Sequence, residues 1–380
     1  ASPPSQPTAR PRSVSDMLLS LGGVPATPPP VMAGAELQAD PVHSALTQLR
    51  LNEGLQAELA KREQALRDRP DSEVLLHSVA KLQLRLDRRA DALVTYKKLL
   101  ALHPGQGEAA HMVGVLSGVV PVRAAAVYVA HLFDAFADSF DEKLTQWLDY
   151  KAPAEVAALA RRVLGPDRKA ARAIDLGCGT GLLGPEIRTD VGRLDGVDLS
   201  PKMIEKARQR GRYDDLTVGE IVAFLNGHKE TYDLALAADV LSYFGDLKPF
   251  LSALRISLKP DGIFVGTVEK GTGARYQAAK TGRYQHGEAY LRKRVTEAGF
   301  ALLELTGIVL RQEENRPVEG YVFALRHDRM LSAAAAASEM PLEDLLARLD
   351  APGAGLVLAG GQQAISGEFG VAWGIDIGGC

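Results

Sequence analysis

Apolar positions along the chain change their period several times, and each change marks a different kind of structure. Up to residue 41 there is almost no period: Pro and Ser cluster in 1–12, Pro recurs over 24–31, and only 14–21 holds enough apolar positions for a short helix. So little apolar surface does not offset the entropy of ordering, and 1–41 is expected to be a disordered arm. From 42 to 120 apolar residues recur at helical intervals, as in Leu76, Val79 and Ala80 and again in Ala92, Tyr96 and Leu99. Another helical stretch runs from 121 to about 153, where Phe133, Phe136 and Phe140 are spaced to share one helix face, and 154–164 is an amphipathic helix. Three phenylalanines on one face predict core packing, or a lid over whatever the following segment binds. Near 171 the period shortens. Apolar runs at 171–176, 194–199, 216–218, 233–238 and 262–268 alternate with helical segments at 182–188, 201–210, 221–225 and 247–258. That alternation predicts a parallel sheet with helices on both faces. After a loop over 270–285, a helix at 288–298 precedes strands at 301–310 and 318–326. Their connection, 311–316, is short and polar, so the last two strands should form an antiparallel hairpin. Beyond 328 a helix over 330–350 and a glycine-rich, loosely attached tail are expected.

The helical region has internal order. Pro70 and Pro104 lie 34 residues apart, and each closes a pair of helical segments. The spacing of Leu76, Val79 and Ala80, then Ala92, Tyr96 and Leu99, then Pro104 resembles the tetratricopeptide repeat, in which small residues let two helices pack closely. One repeat is complete. Ala65 and Pro70 match the end of an earlier one, Val113 and Gly114 the small position of a later one, and Gln83 stands where an aromatic residue is usual. A generic helical bundle is the plain alternative. Neither carries a catalytic signature.

Composition narrows the function classes. A length of 380 residues allows two or three domains, and 46% hydrophobic residues suffice for a sizeable core. A net charge of −3 gives no reason to expect nucleic acid or an acidic membrane as partner. Two cysteines, Cys178 and Cys380, make neither a disulfide framework nor a metal-ligand cluster, so a reducing, cytoplasmic setting without a bound metal is expected. No run is apolar enough to span a bilayer, and the opening residues lack the basic start and apolar core of a signal peptide.

Chemistry concentrates in 171–184, which reads Ala-Arg-Ala-Ile-Asp-Leu-Gly-Cys-Gly-Thr-Gly-Leu-Leu-Gly. A buried strand, a glycine-rich turn and a helix start follow one another, at the sheet edge where open α/β folds bind ligands. Asp175 closes the strand, and Gly177, Gly179 and Gly181 follow at alternate positions with Cys178 between the first two. Glycines there let a ligand approach the main chain, and the helix start offers N–H groups to an anionic part of it. Asp198, in the run from Gly196 to Met203, closes the next strand at a distance suited to ribose hydroxyls. Glu220 and Ile221, after the third strand, are expected to flank an adenine ring. Ala238, Asp239 and Tyr243, after the fourth, face the reacting end. Gly179, Gly181 and Gly184 also satisfy the dinucleotide fingerprint G-x-G-x-x-G. Asp175 argues against that reading, because a carboxylate suits a cofactor with an ammonium group and not a pyrophosphate.

On these residues, 121–327 resembles a class I S-adenosylmethionine-dependent methyltransferase, and with the helices in front the chain is similar to bacterial predicted methyltransferases that carry tetratricopeptide repeats. The resemblance implies an α/β, Rossmann-like sheet of seven strands in the order 3-2-1-4-5-7-6, the last antiparallel, over 121–328. It implies S-adenosylmethionine as cofactor, with Asp175, Gly177, Cys178, Gly179 and Gly181 at the methionine part and Asp198 at the ribose, followed by Leu199 and Met203. Glu220 and Ile221 would then serve the adenine, and Ala238 and Asp239 the methyl-transfer side. Methyl transfer is an in-line displacement that mainly needs orientation and exclusion of water. Where the acceptor is protonated, the expected bases are His286 and Tyr243. The expected acceptor is a small molecule methylated on a hydroxyl or carboxyl oxygen. The other readings are a protein methyltransferase whose repeats recruit a polypeptide, and a silent cofactor-binding module.

Overall fold

The computed structural model describes residues 41–166, 168–313, 316–328 and 331, with no side-chain account at 41–48, 143 and 145–147. The expected arm lies outside these residues except for Pro41, and the expected helix and tail over 329–380 lie outside them except for 331. Four helices come first: α1 (Pro41–Asp68), α2 (Glu73–Arg85), α3 (Arg89–Leu102) and α4 (Gly107–Leu116). Ala80 and Ala92 are fully buried where α2 meets α3, and Leu76, Tyr96, Leu99, Ala109 and Met112 complete that core. Gln83 is buried as well, and its side-chain oxygen accepts the Thr95 hydroxyl at 2.8 Å across the same helix pair.

Three helices follow, α5 (Ala126–Phe136), α6 (Phe140–Trp147) and α7 (Ala152–Leu164). The shared face expected for Phe133, Phe136 and Phe140 does not form, because the helix breaks over 137–139 and the i, i+3, i+4 relation ends with it. Phe136 packs with Leu144, Leu148 and Met203. Phe133 and Phe140 pack against the same cluster and meet edge to face, with ring centroids 6.0 Å apart.

The sheet is built from β1 (Ala170–Leu176), β2 (Val191–Asp198), β3 (Asp215–Val218), β4 (Tyr232–Ala237) and β5 (Leu258–Lys270). Their order is β3-β2-β1-β4-β5, all parallel. Two short strands, β6 (Gln277–Ala278) and β7 (Tyr284–His286), lie in what the sequence presents as a loop. β7 pairs with the last two residues of β5 and, antiparallel, with β6. The closing hairpin is β8 (Phe300–Glu313) and β9 (Arg316–His327), with β9 antiparallel to β5 and β8 outside it. With β9 and β8 as the last two members, the seven long strands keep the expected order 3-2-1-4-5-7-6. Short helices cover the crossovers: α8 (Leu183–Ile187), α9 (Pro201–Arg210), α10 (Ile221–Asn226), α11 (Lys248–Ser257) and α12 (Glu288–Glu297). One face of the sheet packs under α7 and α8, the other under α10, α11 and α12. No helix among the described residues is long and apolar enough to cross a membrane.

Candidate active site at the carboxyl edge of the sheet

β1, β2 and β4 end side by side, with Asp175 in register with Gly196 on one neighbour and Leu236 on the other. A cavity opens above these ends. Its floor is the glycine turn, where Gly177 has φ +70° and a Cβ would come within 2.5 Å of Val240. Only glycine satisfies both conditions. Asp198 is prearranged: Oδ2 accepts the Gly179 N–H and Oδ1 the Ser200 N–H, each at 2.9 Å. Each carboxylate oxygen keeps a second lone pair for a ligand hydroxyl. Burial pushes the Asp198 carboxyl up to about 6, against the pull of those two N–H groups. Asp175 is 2% exposed, and its Oδ2 accepts the Tyr213 hydroxyl at 2.7 Å. Burial pushes its carboxyl up to about 7. Cys178 is buried and its thiol is pushed well up by burial and by the two aspartates, so it stays protonated and serves as a small wall residue.

Leu199, Ile221 and Val240 give the cavity an apolar wall, and Phe133, Phe140 and Tyr150 from the preceding helices roof it. The Phe133 ring also meets Tyr243 edge to face at 5.5 Å. The roof is fastened to the floor by polar contacts: Asp141 accepts from the Thr180 hydroxyl and from Arg210, and Asp134 from the Ser200 hydroxyl.

At the far end lies a charged cluster. Asp239 has φ +58°, and its N–H donates to the Thr267 hydroxyl at 2.8 Å. Its Oδ2 accepts from Arg311 Nη1 at 2.6 Å, while Oδ1 is buried without a partner. Arg311, 2% exposed, also donates to Glu269 and, at 2.7 Å, to Glu313. Arg283 donates to Glu269 at 2.6 Å and to both oxygens of Glu313 at 2.8 Å. Burial raises the Asp239 carboxyl more than Arg311 lowers it. Burial also opposes the ionised form of Glu313, but the two guanidiniums outweigh it and hold the carboxyl near about 2.

Of the residues expected to touch a cofactor or acceptor, Asp175, Gly177, Cys178, Gly179, Asp198 and Leu199 line this cavity, as do Ile221, Ala238, Asp239 and Tyr243. Four do not. Gly181 faces the Tyr213 ring, 2.9 Å from where its Cβ would stand. Met203 is fully buried against Phe136 and Leu148, because α9 turns that face toward α5 and not toward the sheet edge. The Glu220 carboxylate caps α10, accepting the Val222 and Ala223 N–H groups at 3.1 and 2.9 Å, and pairs with Arg123 at 3.0 Å; it lines a small recess beside the cavity. His286 is the main correction. Its ring is fully buried on β7, its Nε2 lies 3.0 Å from the Gly245 carbonyl, and it forms no part of the cavity wall. Burial depresses its pKa to about 4, so the ring is neutral near pH 7, a weak base, and it has no path to an acceptor.

Sequence reasoning missed Tyr213, Glu269, Arg283, Arg311 and Glu313. Glu269 did carry a signal, an acid closing an apolar strand, the same sign that picked out Asp175 and Asp198. Arg311 and Glu313 were read as a polar turn, yet β8 continues through them. Arg283 had no local signal.

Comparison with known proteins bears on this geometry. Residues 174–264 match a family model described as a methyltransferase domain. The chain is 26% identical over 186 residues to a ubiquinone biosynthesis O-methyltransferase of Methylocella silvestris, covering 44% of this chain and 70% of that protein. Over these residues the chain is similar to methyltransferase domains. Other relatives include mouse arginine-hydroxylase NDUFAF5, mitochondrial (Mus musculus), at 28% identity over 41% of this chain and 48% of that protein. Human methyltransferase-like protein 27 (Homo sapiens) is 35% identical over 30% of this chain and 46% of its own length. The chain thus spans about half the length of several curated relatives it matches. Among solved structures, the Burkholderia thailandensis 1,6-didemethyltoxoflavin-N1-methyltransferase is 22% identical, covering 55% of this chain and 92% of that one at a TM-score of 0.43.

Proposed function

We propose that the chain transfers the methyl group of S-adenosylmethionine to a hydroxyl of a small molecule. The observation that carries the reading is one cavity with two unlike ends. Asp175, the Gly177 turn and Asp198 supply a carboxylate for an ammonium, a cradle without side chains and a second carboxylate for a ribose diol; Leu199 and Ile221 supply an apolar wall for adenine. These residues fit the cofactor. The other end, under Phe133 and Tyr150, holds Asp239 with its unpartnered Oδ1.

That oxygen accepts hydrogen bonds and donates none, so it suits an acceptor carrying O–H. Carboxyl methylation fits less well. Both guanidiniums are committed to carboxylates, and three acids against two bases leave one net negative charge when all are ionised. Bound in the cavity, S-adenosylmethionine would supply an electrophilic methyl group, the carbon–sulfur pair leaving on sulfur as the acceptor oxygen bonds to the methyl carbon. Asp239 would take the hydroxyl proton. Burial makes Asp239 a stronger base, Arg311 holds its Oδ2, and Thr267 fixes its backbone. The aromatic roof excludes water, and orientation supplies much of the rate.

A polypeptide acceptor recruited by α1–α4 is the second reading. The close packing at Ala80 and Ala92 supports a tetratricopeptide-like region, and His111 on α4 reaches the Gly282 carbonyl at 2.8 Å, one residue from Arg283.

Calorimetry with S-adenosylmethionine tests the first end: Asp198→Ala should weaken binding by about 100-fold, since it removes charge-assisted hydrogen bonds. Unchanged affinity would sink the cofactor assignment. Asp239→Asn should keep cofactor affinity within about threefold and slow methyl transfer to hydroxyl compounds by about 100-fold or more. Turnover at the parent rate removes Asp239 from the chemistry.

A further inference from the structure

Asp175 lines the cavity, but the group that governs it lies outside. Tyr213 stands between α9 and β3, and its hydroxyl donates to Asp175 Oδ2 at 2.7 Å. Its ring occupies a slot bounded by three glycines from three elements. A Cβ on Gly181 or Gly184 would lie 2.9 Å from a ring carbon, and one on Gly196 would lie 3.0 Å from another. Two of these, Gly181 and Gly184, belong to the stretch that mimics a dinucleotide fingerprint. Their missing side chains make room for a tyrosine ring and not for a pyrophosphate.

We propose that Tyr213 is a positioning residue: seated on Gly181, Gly184 and Gly196, it aims the Asp175 carboxylate into the cavity and holds it ionised for the cofactor's ammonium group. This rests on the reading of the cavity as an S-adenosylmethionine site. The hydroxyl bonds the charged form of Asp175 and so favours it. Burial works the other way, and the nearby Asp198 charge adds to burial. The remaining titratable neighbours are the Cys178 thiol and the Tyr150 and Tyr213 phenols, all pushed well up and neutral near pH 7. Asp175 and Asp198 therefore are the groups in this corner that change charge near neutrality. A tyrosine here does what a second cation would do for a buried carboxylate, without adding charge beside a cationic cofactor.

The test uses the full chain, S-adenosylhomocysteine as probe, and calorimetry between pH 6 and pH 8. Tyr213→Phe keeps the ring, so the slot stays filled, and circular dichroism checks the fold. Parent affinity should decline as the solution is acidified through about pH 7. In Tyr213→Phe the decline should begin at higher pH, by about one unit, so from pH 8 to pH 6 affinity falls about fivefold further than in the parent. In Asp175→Asn the affinity should not follow this titration, and adding Tyr213→Phe to it should change nothing more. An equal loss at every pH would mean that Tyr213 only packs, and would overturn the proposal. A ligand-free measurement separates this from the cofactor reading. In protein labelled with carboxyl carbon-13 aspartate, the Asp175 titration should move up in Tyr213→Phe; no movement overturns the proposal even where the probe binds. If the titration moves and the probe fails to bind the parent protein, the cofactor reading fails alone.

Discussion

The two ends of the cavity are made differently. The end proposed for the cofactor comes from one run of chain: Asp175, the glycine turn and Asp198 lie within 24 residues, on adjacent strands β1 and β2. Its ligand groups are held mostly by backbone, as when Gly179 and Ser200 present their N–H groups to Asp198. The end proposed for the acceptor draws Asp239 from just after β4, Glu269 from β5, Arg283 from the segment before β7 and Arg311 and Glu313 from β8, and it is held mostly by ion pairs between side chains. The first end is rigid because hydrogen bonds of the fold itself build it. The second is rigid only while its charges remain matched. Mutations should therefore damage the fold most at the acceptor end and binding most at the cofactor end.

The largest effect is expected for Arg311→Met. It leaves Asp239, Glu269 and Glu313 buried with one guanidinium among them, and breaking such a network costs about 3–5 kcal/mol. Thermal unfolding should shift down by roughly 10 °C. A shift within about 2 °C would show that the cluster is relaxed by water and that the contrast between the ends is false.

Next comes His286→Leu, which tests a buried group that belongs to neither end. Losing the Gly245 hydrogen bond should cost about 1–2 kcal/mol while leaving cofactor affinity unchanged. The pH dependence is specific. The folded pKa of about 4 lies below the ordinary value near 6.5, so the unfolded chain takes up the proton first. Stability contributed by neutral His286 is present above about pH 6.5 and is lost as the pH falls toward 4. Between pH 7 and pH 5 the parent protein should lose about 2 kcal/mol that the leucine variant keeps. Equal acid sensitivity would mean that the ring is hydrated in solution. Loss of turnover with intact cofactor affinity would restore it as a base.

The smallest effect is expected at Glu220→Ala. Removing the cap of α10 should cost about 1 kcal/mol, and cofactor affinity should change by less than about threefold. A loss above about 30-fold would mean that the carboxylate leaves its cap to bind the adenine.

Legibility in the sequence follows the same division. The alternation of strand and helix announced the sheet, because periods of 2 and 3.6 residues are local properties. The glycine turn and the place of Asp198 were legible because what forms them is local too: a positive φ at Gly177 and an acid at a strand end need no distant partner. His286 was misread because nothing near it in sequence tells whether β7 turns that ring toward the cavity or beneath the Gly245 carbonyl. Met203 was misread for a like reason, since α9 meets α5 only in the folded chain. The run Arg311 to Glu313 looked like a turn because its polarity matched solvent, yet the same polarity matches Asp239 and Arg283.

By itself the sequence determined the alternation of strands and helices, the closing hairpin and the groups that the glycine turn offers, while the order of the sheet was implied by a family resemblance. The first three follow from backbone periodicity and from glycine and carboxylate chemistry within short reach. Only the tertiary structure decided that Gly181 and Gly184 seat Tyr213, that His286 is sealed away, and that five charges meet at Asp239. Each of these is a contact between residues tens of positions apart, where burial and pairing, not residue type, fix what a side chain does.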